Sequence, residues 1–149
     1  MTGPPDARAG QIGAPYPPRV PRAPQDLAPE TLAFLEERHL ATLSTLRPDG
    51  TPHVVPVGFT YDAGTATARV ITSGRSAKAA HVRHGPPRVA LCQVEGRRWL
   101  TLEGTARLRD DPAAVADAEQ RYARRYRQPR ENPSRVVLEI SVDRVLGNA

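Results

Sequence analysis

Residues 40–61 read LATLSTLRPDGTPHVVPVGFTY, which has the pattern of two strands joined by a turn. Apolar and small polar residues alternate on either side of a five-residue segment, residues 47–51, whose Pro-Asp-Gly centre is strong turn chemistry. A period of two is typical of strands with one buried face. The stretch therefore predicts a β-hairpin with strands at residues 40–46 and 52–61.

The rest of the chain continues this pattern of short strands, with helices inserted between them. Helices are predicted from Pro29, from about Ser76 to His84, and from an Asp110-Asp111-Pro112 cap to about Arg127. Further strands are predicted at residues 67–73, 88–94, 97–108 and 135–146. About six or seven antiparallel strands with three helices indicate a small barrel of the α+β, mostly β class.

The first 28 residues differ from the rest in composition. They hold seven of the 16 prolines and almost no apolar periodicity. Such a segment buries too little surface to offset its ordering entropy, so we expect residues 1–28 to be a disordered Pro/Ala/Arg-rich tail. Residues 29–149 are then one folded domain, beginning near Ala28.

Composition excludes several classes of protein. With 39% hydrophobic and 25% charged residues and no long apolar run, the sequence shows no membrane span and no signal peptide, and it predicts a cytoplasmic protein. A single cysteine, Cys92, leaves no internal disulfide. The net charge of +5 invites a nucleic-acid partner, but the arginines are scattered, aromatic residues are only 5%, and no nucleic-acid-binding motif is present.

Residues 74–84, GRSAKAAHVRH, contain the only lysine among 21 basic residues. A Gly-Arg-Ser turn between a strand and a helix exposes backbone N–H groups, while Ser76 adds a hydroxyl and Lys78 an ammonium. The pattern fits an anion cradle suited to phosphate. It also fits an ordinary N-cap serine followed by a solvated lysine.

Other chemical motifs are weak. His81 and His84 lie one helical turn apart, but no third metal ligand accompanies them, so no metal site is predicted. No nucleophile elbow or paired carboxylates are recognisable, and no catalytic residue is assigned. An enzyme with this sequence would take its chemistry from a cofactor.

Two further features have two interpretations each. The arginine-rich run at residues 121–130 is either a solvated helix face, with Tyr122 and Tyr126 packed inward, or a site for a polyanionic ligand tail. Trp99 is either a core residue or a platform for a cofactor.

Taken in order, several segments resemble the split β-barrel flavin and deazaflavin oxidoreductases, a family that includes the pyridoxamine 5′-phosphate oxidases. The similarity runs from about Leu27 to Gly147. It is carried by residues 32–43, 52–60, 68–72, the lysine segment, 98–100 and 135–139. Within the family the chain is most similar to the actinobacterial type that uses reduced coenzyme F-420.

The resemblance implies a homodimer of split barrels with cofactor sites at the subunit interface. It implies that one strand lies along the deazaflavin ring and that the following turn and helix start hold the phosphate. The implied strand contacts are His53, Val54, Val55 and Pro56; those of the turn are Thr72, Gly74, Arg75, Ser76, Ala77 and Lys78; and Trp99 is included as an aromatic contact.

The activity that this resemblance implies is hydride transfer from reduced coenzyme F-420 to biliverdin or a similar conjugated compound. The coenzyme's anionic oligoglutamate tail makes Arg121, Arg125 and Arg127 candidate tail contacts. Two alternatives share the fold: an FMN-dependent enzyme of the pyridoxamine 5′-phosphate oxidase type, and a noncatalytic barrel that binds a flavin or a tetrapyrrole. Phosphate on a ribityl chain is common to both cofactors, so the cradle alone does not separate F-420 from FMN.

Overall fold

The computed structural model describes residues 20–85 and 87–149. Within them the chain forms seven strands, three α-helices and one short 3-10 helix. The strands are β1 (Ala41–Leu46), β2 (Pro52–Val57), β3 (Thr60–Asp62), β4 (Thr67–Ser73), β5 (Arg88–Glu95), β6 (Arg98–Arg109) and β7 (Arg135–Gly147). The helices are α1 (Pro29–Glu36), α2 (Ala77–Arg83) and α3 (Pro112–Arg125), and the 3-10 helix is Pro24–Asp26.

All neighbouring strands of the sheet are antiparallel, in the order β2-β1-β5-β6-β7-β4-β3. The predicted hairpin is confirmed: β1 and β2 pair from Ala41↔Val57 to Leu46↔Pro52. In its turn, Gly50 adopts a φ of 84°, which favours glycine, and the Thr51 N–H donates to Asp49 Oδ1 at 3.0 Å. The predicted α+β class with seven strands and three helices is thereby confirmed.

The second strand of the hairpin is shorter than predicted. The sequence predicts one strand over residues 52–61, but β2 ends at Val57, and β3 pairs with β4 at the opposite end of the sheet order. Between them, the buried Phe59 donates its N–H to the Tyr126 hydroxyl at 3.2 Å, and its carbonyl accepts from Arg125. Because α3 satisfies these backbone groups, the chain leaves the ladder and crosses from one sheet edge to the other.

The helices begin where the sequence predicts, because each start carries local signals. Pro29 opens α1, Ser76 accepts a hydrogen bond from the Ala79 N–H at 3.3 Å, and Asp111 accepts from the Ala114 N–H at 3.1 Å. Helix α3 ends at Arg125, two residues before the predicted end, and Tyr126 has a nonhelical φ of −115° and ψ of −89°. The segment after α3 is therefore not helical and lies along the protein surface.

Described residues just before the expected domain start near Ala28 contact the folded part of the chain. Arg22 exchanges two backbone hydrogen bonds of 2.9 Å with Val145 in β7, and its guanidinium donates to Thr31 Oγ1 and to the Ala149 carbonyl. Residues 22–28 thus pack on the barrel, although their composition predicts a tail. Residues 1–19 of the predicted tail lie outside the described part of the chain.

The sheet has one buried and one partly exposed face over β2, β1 and β5. Residues such as Leu43, Leu91 and Leu102 point into the core, where they meet Phe34 and Phe59. No helix in the described ranges is long and apolar enough to cross a bilayer.

Candidate cofactor cleft

A cleft of about 540 Å³ opens beside the edge strand β2, where the chain leaves the ladder. Three segments that are distant in sequence form its walls. They are the end of β2 with the following glycine (residues 56–58), the end of β4 with Lys78 of α2 (residues 71–73 and 78), and Tyr122 with the segment after α3 (residues 127–130, 132 and 135). This volume is in the range of a small-molecule or cofactor site.

Gly58 shapes the cleft at the point where β2 ends. A Cβ atom at this position would lie 2.9 Å from the Tyr122 ring and 3.1 Å from the Tyr126 ring. The two rings pack against each other with centroids 4.9 Å apart and planes tilted by 36°. A glycine here lets α3 pack closely against the chain and so fixes the wall formed by Tyr122.

Lys78 lies on the cleft as a cation without a counter-ion. Its side chain is half-buried and makes no hydrogen bond or ion pair with any described residue. Burial lowers the pKa of its ammonium group, because partial desolvation disfavours the charged form. A bound anion would reverse that penalty.

The hydroxyls beside Lys78 are linked to one another. Thr72, which lines the cleft, donates to Ser76 Oγ at 3.1 Å, and Ser76 caps α2. Gly74 is fixed on the other side, where its N–H donates to the Ser134 carbonyl at 2.7 Å and its carbonyl accepts from Arg83. The predicted phosphate turn is thus held at both ends.

Two arginines of the 121–130 run join Lys78 at the cleft. Arg127 and Arg130 line it, and neither forms an ion pair within residues 20–85 and 87–149. Arg135, also a lining residue, is held by Glu119 at 3.2 Å. Clustered cations around a concave surface favour an anionic ligand.

Two other arginines of that run, Arg121 and Arg125, are already engaged, whereas Arg124 is exposed and does not line the cleft. Arg121 pairs with Asp117 at 2.9 Å and with Asp62 at 3.6 Å. The buried Arg125 donates to the carbonyls of Glu37 and Phe59 and to Gln93 Oε1. Arg127 alone of the three predicted tail contacts lines the cleft, because Arg125 ties α3 to the core.

The predicted strand contacts divide between two faces of the sheet. His53 and Val55 lie opposite the buried Thr45 and Leu43, so they point inward, whereas Val54 and Pro56 share the outer face. Pro56 lines the cleft and His53 does not.

Below the strand, His53 packs edge-on against His81 with ring centroids 5.1 Å apart, and its buried Nδ1 has no partner among the described residues. His81 Nδ1 lies 2.8 Å from Thr45 Oγ1. Burial, followed by the nearby His53 and Arg47, lowers the pKa of His81. The pair therefore connects β2 with α2 from inside the barrel.

Other predicted contacts lie away from the cleft of this chain. Arg75 and Ala77 are exposed at the turn and do not line it. Trp99 stands on β6 opposite Val94, on the outer face of the sheet. Of the predicted site residues, the structure brings Pro56, Thr72 and Lys78 to the cleft lining, with Gly74 and Ser76 directly behind.

Sequence reasoning missed a second depression, of about 350 Å³, which shares Tyr122 and Arg127 with the cleft. Its other lining residues are Arg38, His39, Leu40 and Tyr126. These positions come together only because α3 packs beside the end of α1, and no local motif signals that packing. In the described residues, no three His, Cys, Asp or Glu side chains converge as metal ligands do.

Comparison with known proteins gives the same family from sequence and from structure. The family model described as pyridoxamine 5′-phosphate oxidase matches residues 27–149. A biliverdin reductase from Mycobacterium tuberculosis (strain CDC 1551 / Oshkosh) that depends on reduced coenzyme F-420 is 58% identical over 123 residues, which cover 83% of this chain and 89% of the relative.

Solved structures with the same fold are more distant in sequence. An F-420 reductase is 25% identical, with a TM-score of 0.60 over 76% of this chain and 94% of its own. A conserved hypothetical protein from Mycobacterium tuberculosis is 24% identical, with a TM-score of 0.70 over 85% and 87% of the two chains. The second likeness concerns the fold alone.

Proposed function

Because this chain belongs to the pyridoxamine 5′-phosphate oxidase family of split β-barrels, we propose that it is an oxidoreductase that uses reduced coenzyme F-420 to reduce biliverdin. The observation that carries the proposal is the cleft beside β2, where Lys78, Arg127 and Arg130 have no counter-ion among the described residues. The 58% identity to the F-420-dependent biliverdin reductase supports the choice of coenzyme and acceptor.

The residues at the cleft fit the groups that this coenzyme presents. A phosphate needs a cation and a hydroxyl donor, which Lys78 and the linked hydroxyls of Thr72 and Ser76, with one O–H still unused, supply at one end. An oligoglutamate tail needs further cations, which Arg127 and Arg130 supply along the segment after α3. When bound, the reduced coenzyme provides the hydride, so the protein's task is to hold, orient and shield the reactants.

We also propose that the working unit is a homodimer. Val54, Leu46 and Val94 expose 55%, 53% and 59% of their surface on the outer face of β2, β1 and β5. Strand pairing puts Trp99 on that same face. A partner that covers it would shield apolar side chains and bring its own residues toward this chain's cleft, which gives Trp99 a role that a single subunit does not.

The proposed function is tested by titrating the purified protein separately with coenzyme F-420, FMN and duplex DNA. Biliverdin turnover is then followed by absorbance with the reduced form of the coenzyme that binds. Tight F-420 binding with biliverdin reduction supports the proposal. FMN binding in preference to F-420, or F-420 binding with no biliverdin reduction, contradicts it.

The dimer is tested on its own by light scattering during gel filtration. The expected mass is that of two chains, and Val54→Asp should lower it by placing a charge on the apolar face. A monomeric wild-type protein would contradict the proposed assembly without affecting the choice of coenzyme.

A further inference from the structure

The depression next to the cofactor cleft has the composition of a binding site for the acceptor. Leu40 exposes 63% of its surface there, beside Tyr122. Arg38 and Arg127 are exposed at its rim and form no ion pair in the described ranges. Leu40 and the aromatic rings of Tyr122 and Tyr126, beside two cations with no ion pair among the described residues, suit a conjugated molecule that carries carboxylates, and biliverdin is such a molecule.

Shared walls connect this depression with the cleft. Tyr122 and Arg127 line both. An acceptor must lie against the coenzyme to receive a hydride. Because the depression adjoins the cofactor cleft, an acceptor bound in it would lie next to the coenzyme.

His39 supplies the imidazole of this depression, the side-chain type that most often transfers protons in enzymes. Its Nε2 lies 2.9 Å from Glu37 Oε2. Nδ1 makes no hydrogen bond to any residue that the structure describes. Glu37 therefore engages one ring nitrogen, and the other is available to a bound ligand.

Glu37 is held as a carboxylate by its other partner. Arg98 donates to both of its oxygens, at 3.0 and 2.8 Å. These hydrogen bonds, followed by the one from His39, lower the pKa of Glu37 to about 2. The carboxylate therefore stays ionised at any pH at which an enzyme of this kind would work.

The backbone around His39 is fixed from α3. Arg125 donates to the Glu37 carbonyl at 3.0 and 2.7 Å, and the Tyr126 hydroxyl donates to the His39 carbonyl at 2.6 Å. The ring also lies against Phe34, with centroids 5.9 Å apart. A titratable group held by this many contacts is positioned before any ligand arrives.

We propose that His39 is the catalytic proton donor of the reaction. The acceptor gains a C–H bond from the hydride at its methine carbon and an N–H bond when Nδ1 of the imidazolium gives its proton to a pyrrole nitrogen. The neutral imidazole is reprotonated from solvent, into which oxidation of the coenzyme releases one proton. This role rests on the proposed function.

Several charged or titratable groups surround His39 from the elements packed against it. They are Glu37 and Arg38 beside it in the chain, Arg98 of β6 with its second partner Glu95 of β5, and Tyr122, Arg125, Tyr126 and Arg127 at the end of α3. Glu37 makes the direct contact with the ring, and Arg98 holds that carboxylate in place.

The test compares His39→Gln with His84→Gln. Glutamine at position 39 can still donate to Glu37 but cannot supply an acidic proton, while His84 is an exposed residue at the end of α2. We expect His39→Gln to leave the thermal midpoint and the coenzyme affinity nearly unchanged and to slow single-turnover biliverdin reduction by roughly 100-fold or more. His84→Gln should behave as the wild type.

The pH profile gives a second readout. The wild-type rate should fall as the pH rises, because the imidazolium form is lost, and the residual rate of His39→Gln should lack this fall. A His39→Gln variant with the wild-type rate and profile would overturn the role of His39.

A third readout needs no coenzyme. When biliverdin is added to the coenzyme-free protein, the NMR signals of the His39 ring should shift and those of His84 should not. Unmoved His39 signals would contradict the placement of the acceptor. If the wild-type protein does not reduce biliverdin at all, both the proposed function and the role of His39 are refuted. If the wild type and His39→Gln reduce biliverdin equally fast, only the role of His39 is refuted.

Discussion

Lys78→Met is the substitution that best separates a ligand-binding cation from a structural one. Methionine keeps most of the apolar stem and removes the ammonium. In the ligand-free protein, burial lowers the pKa of Lys78, and no described carboxylate compensates for that burial. The charge is therefore unfavourable in the folded protein until an anion binds.

The expected loss of affinity follows from one charge-assisted contact. A hydrogen bond to a charged group contributes about 1.5–3 kcal/mol, which corresponds to roughly 10-fold to 100-fold in the dissociation constant. Because Lys78 is only half-buried, solvent screening places the effect toward the lower end of that range. A fluorescence titration with coenzyme F-420 measures it, and Arg124→Met, an exposed residue that does not line the cleft, is the charge-matched control.

The stability of the folded protein should not fall with the coenzyme affinity in Lys78→Met. Since the pKa of Lys78 is lower in the folded than in the unfolded chain, the unfolded chain binds more protons just below the ordinary value of 10.5. Wild-type stability should gain slightly as the pH rises through that window, and Lys78→Met should lack this gain and be at least as stable at neutral pH. Unchanged coenzyme affinity, or a marked loss of thermal stability without ligand, would refute the reasoning.

Three further substitutions test separate parts of the structure. Gly58→Ala should destabilise the fold by about 1–3 kcal/mol in a urea melt and weaken coenzyme binding, because its Cβ would meet the Tyr122 ring at 2.9 Å; an unchanged midpoint would contradict that packing. Arg125→Met should cost about 3 kcal/mol or more in the same melt, because it removes the guanidinium that donates to the Glu37 and Phe59 carbonyls and to the buried Gln93 Oε1. A loss below about 1 kcal/mol would show that water replaces it. Arg130→Ala should weaken coenzyme binding and reduce its salt dependence relative to Arg124→Ala, and equal behaviour of the two variants would exclude a role for Arg130 at the cleft.

Local signals in the sequence predict much of the fold. The Pro-Asp-Gly turn sets the register of β1 and β2, and Ser76 and Asp111 mark the starts of their helices. These features depend on residues within a few positions of one another. The family resemblance, which the match over residues 27–149 confirms, adds the expected split-barrel fold.

Contacts between distant segments account for what the sequence did not predict. The strand at residues 52–61 is interrupted because Phe59 finds hydrogen-bond partners on α3, more than 60 residues away. Arg125 and Arg127 look equivalent in the sequence, yet one lies in the core and the other at the cleft. Two positions in the arginine-rich run separate a core arginine from a cleft-lining one, and only the packing and the end of α3 decide which is which.

A single chain brings some of the predicted site residues to the cleft and leaves others away from it. Pro56, Thr72 and Lys78 line the cleft, whereas Trp99 lies on the outer face of the sheet. Contacts that depend on a second subunit have no signal in one sequence beyond exposed apolar residues such as Val54 and Val94. The role of Trp99 therefore stays a prediction tied to the dimer.

The central claim is that the cleft binds coenzyme F-420 and that the protein uses its reduced form on biliverdin. The most direct measurement follows the absorbance of biliverdin under anaerobic conditions with the protein and reduced coenzyme F-420, beside the same mixture with reduced FMN. We predict loss of biliverdin with F-420 in proportion to protein and no loss above background with FMN. Biliverdin that remains unchanged with F-420, or is reduced equally well with FMN, would contradict the account.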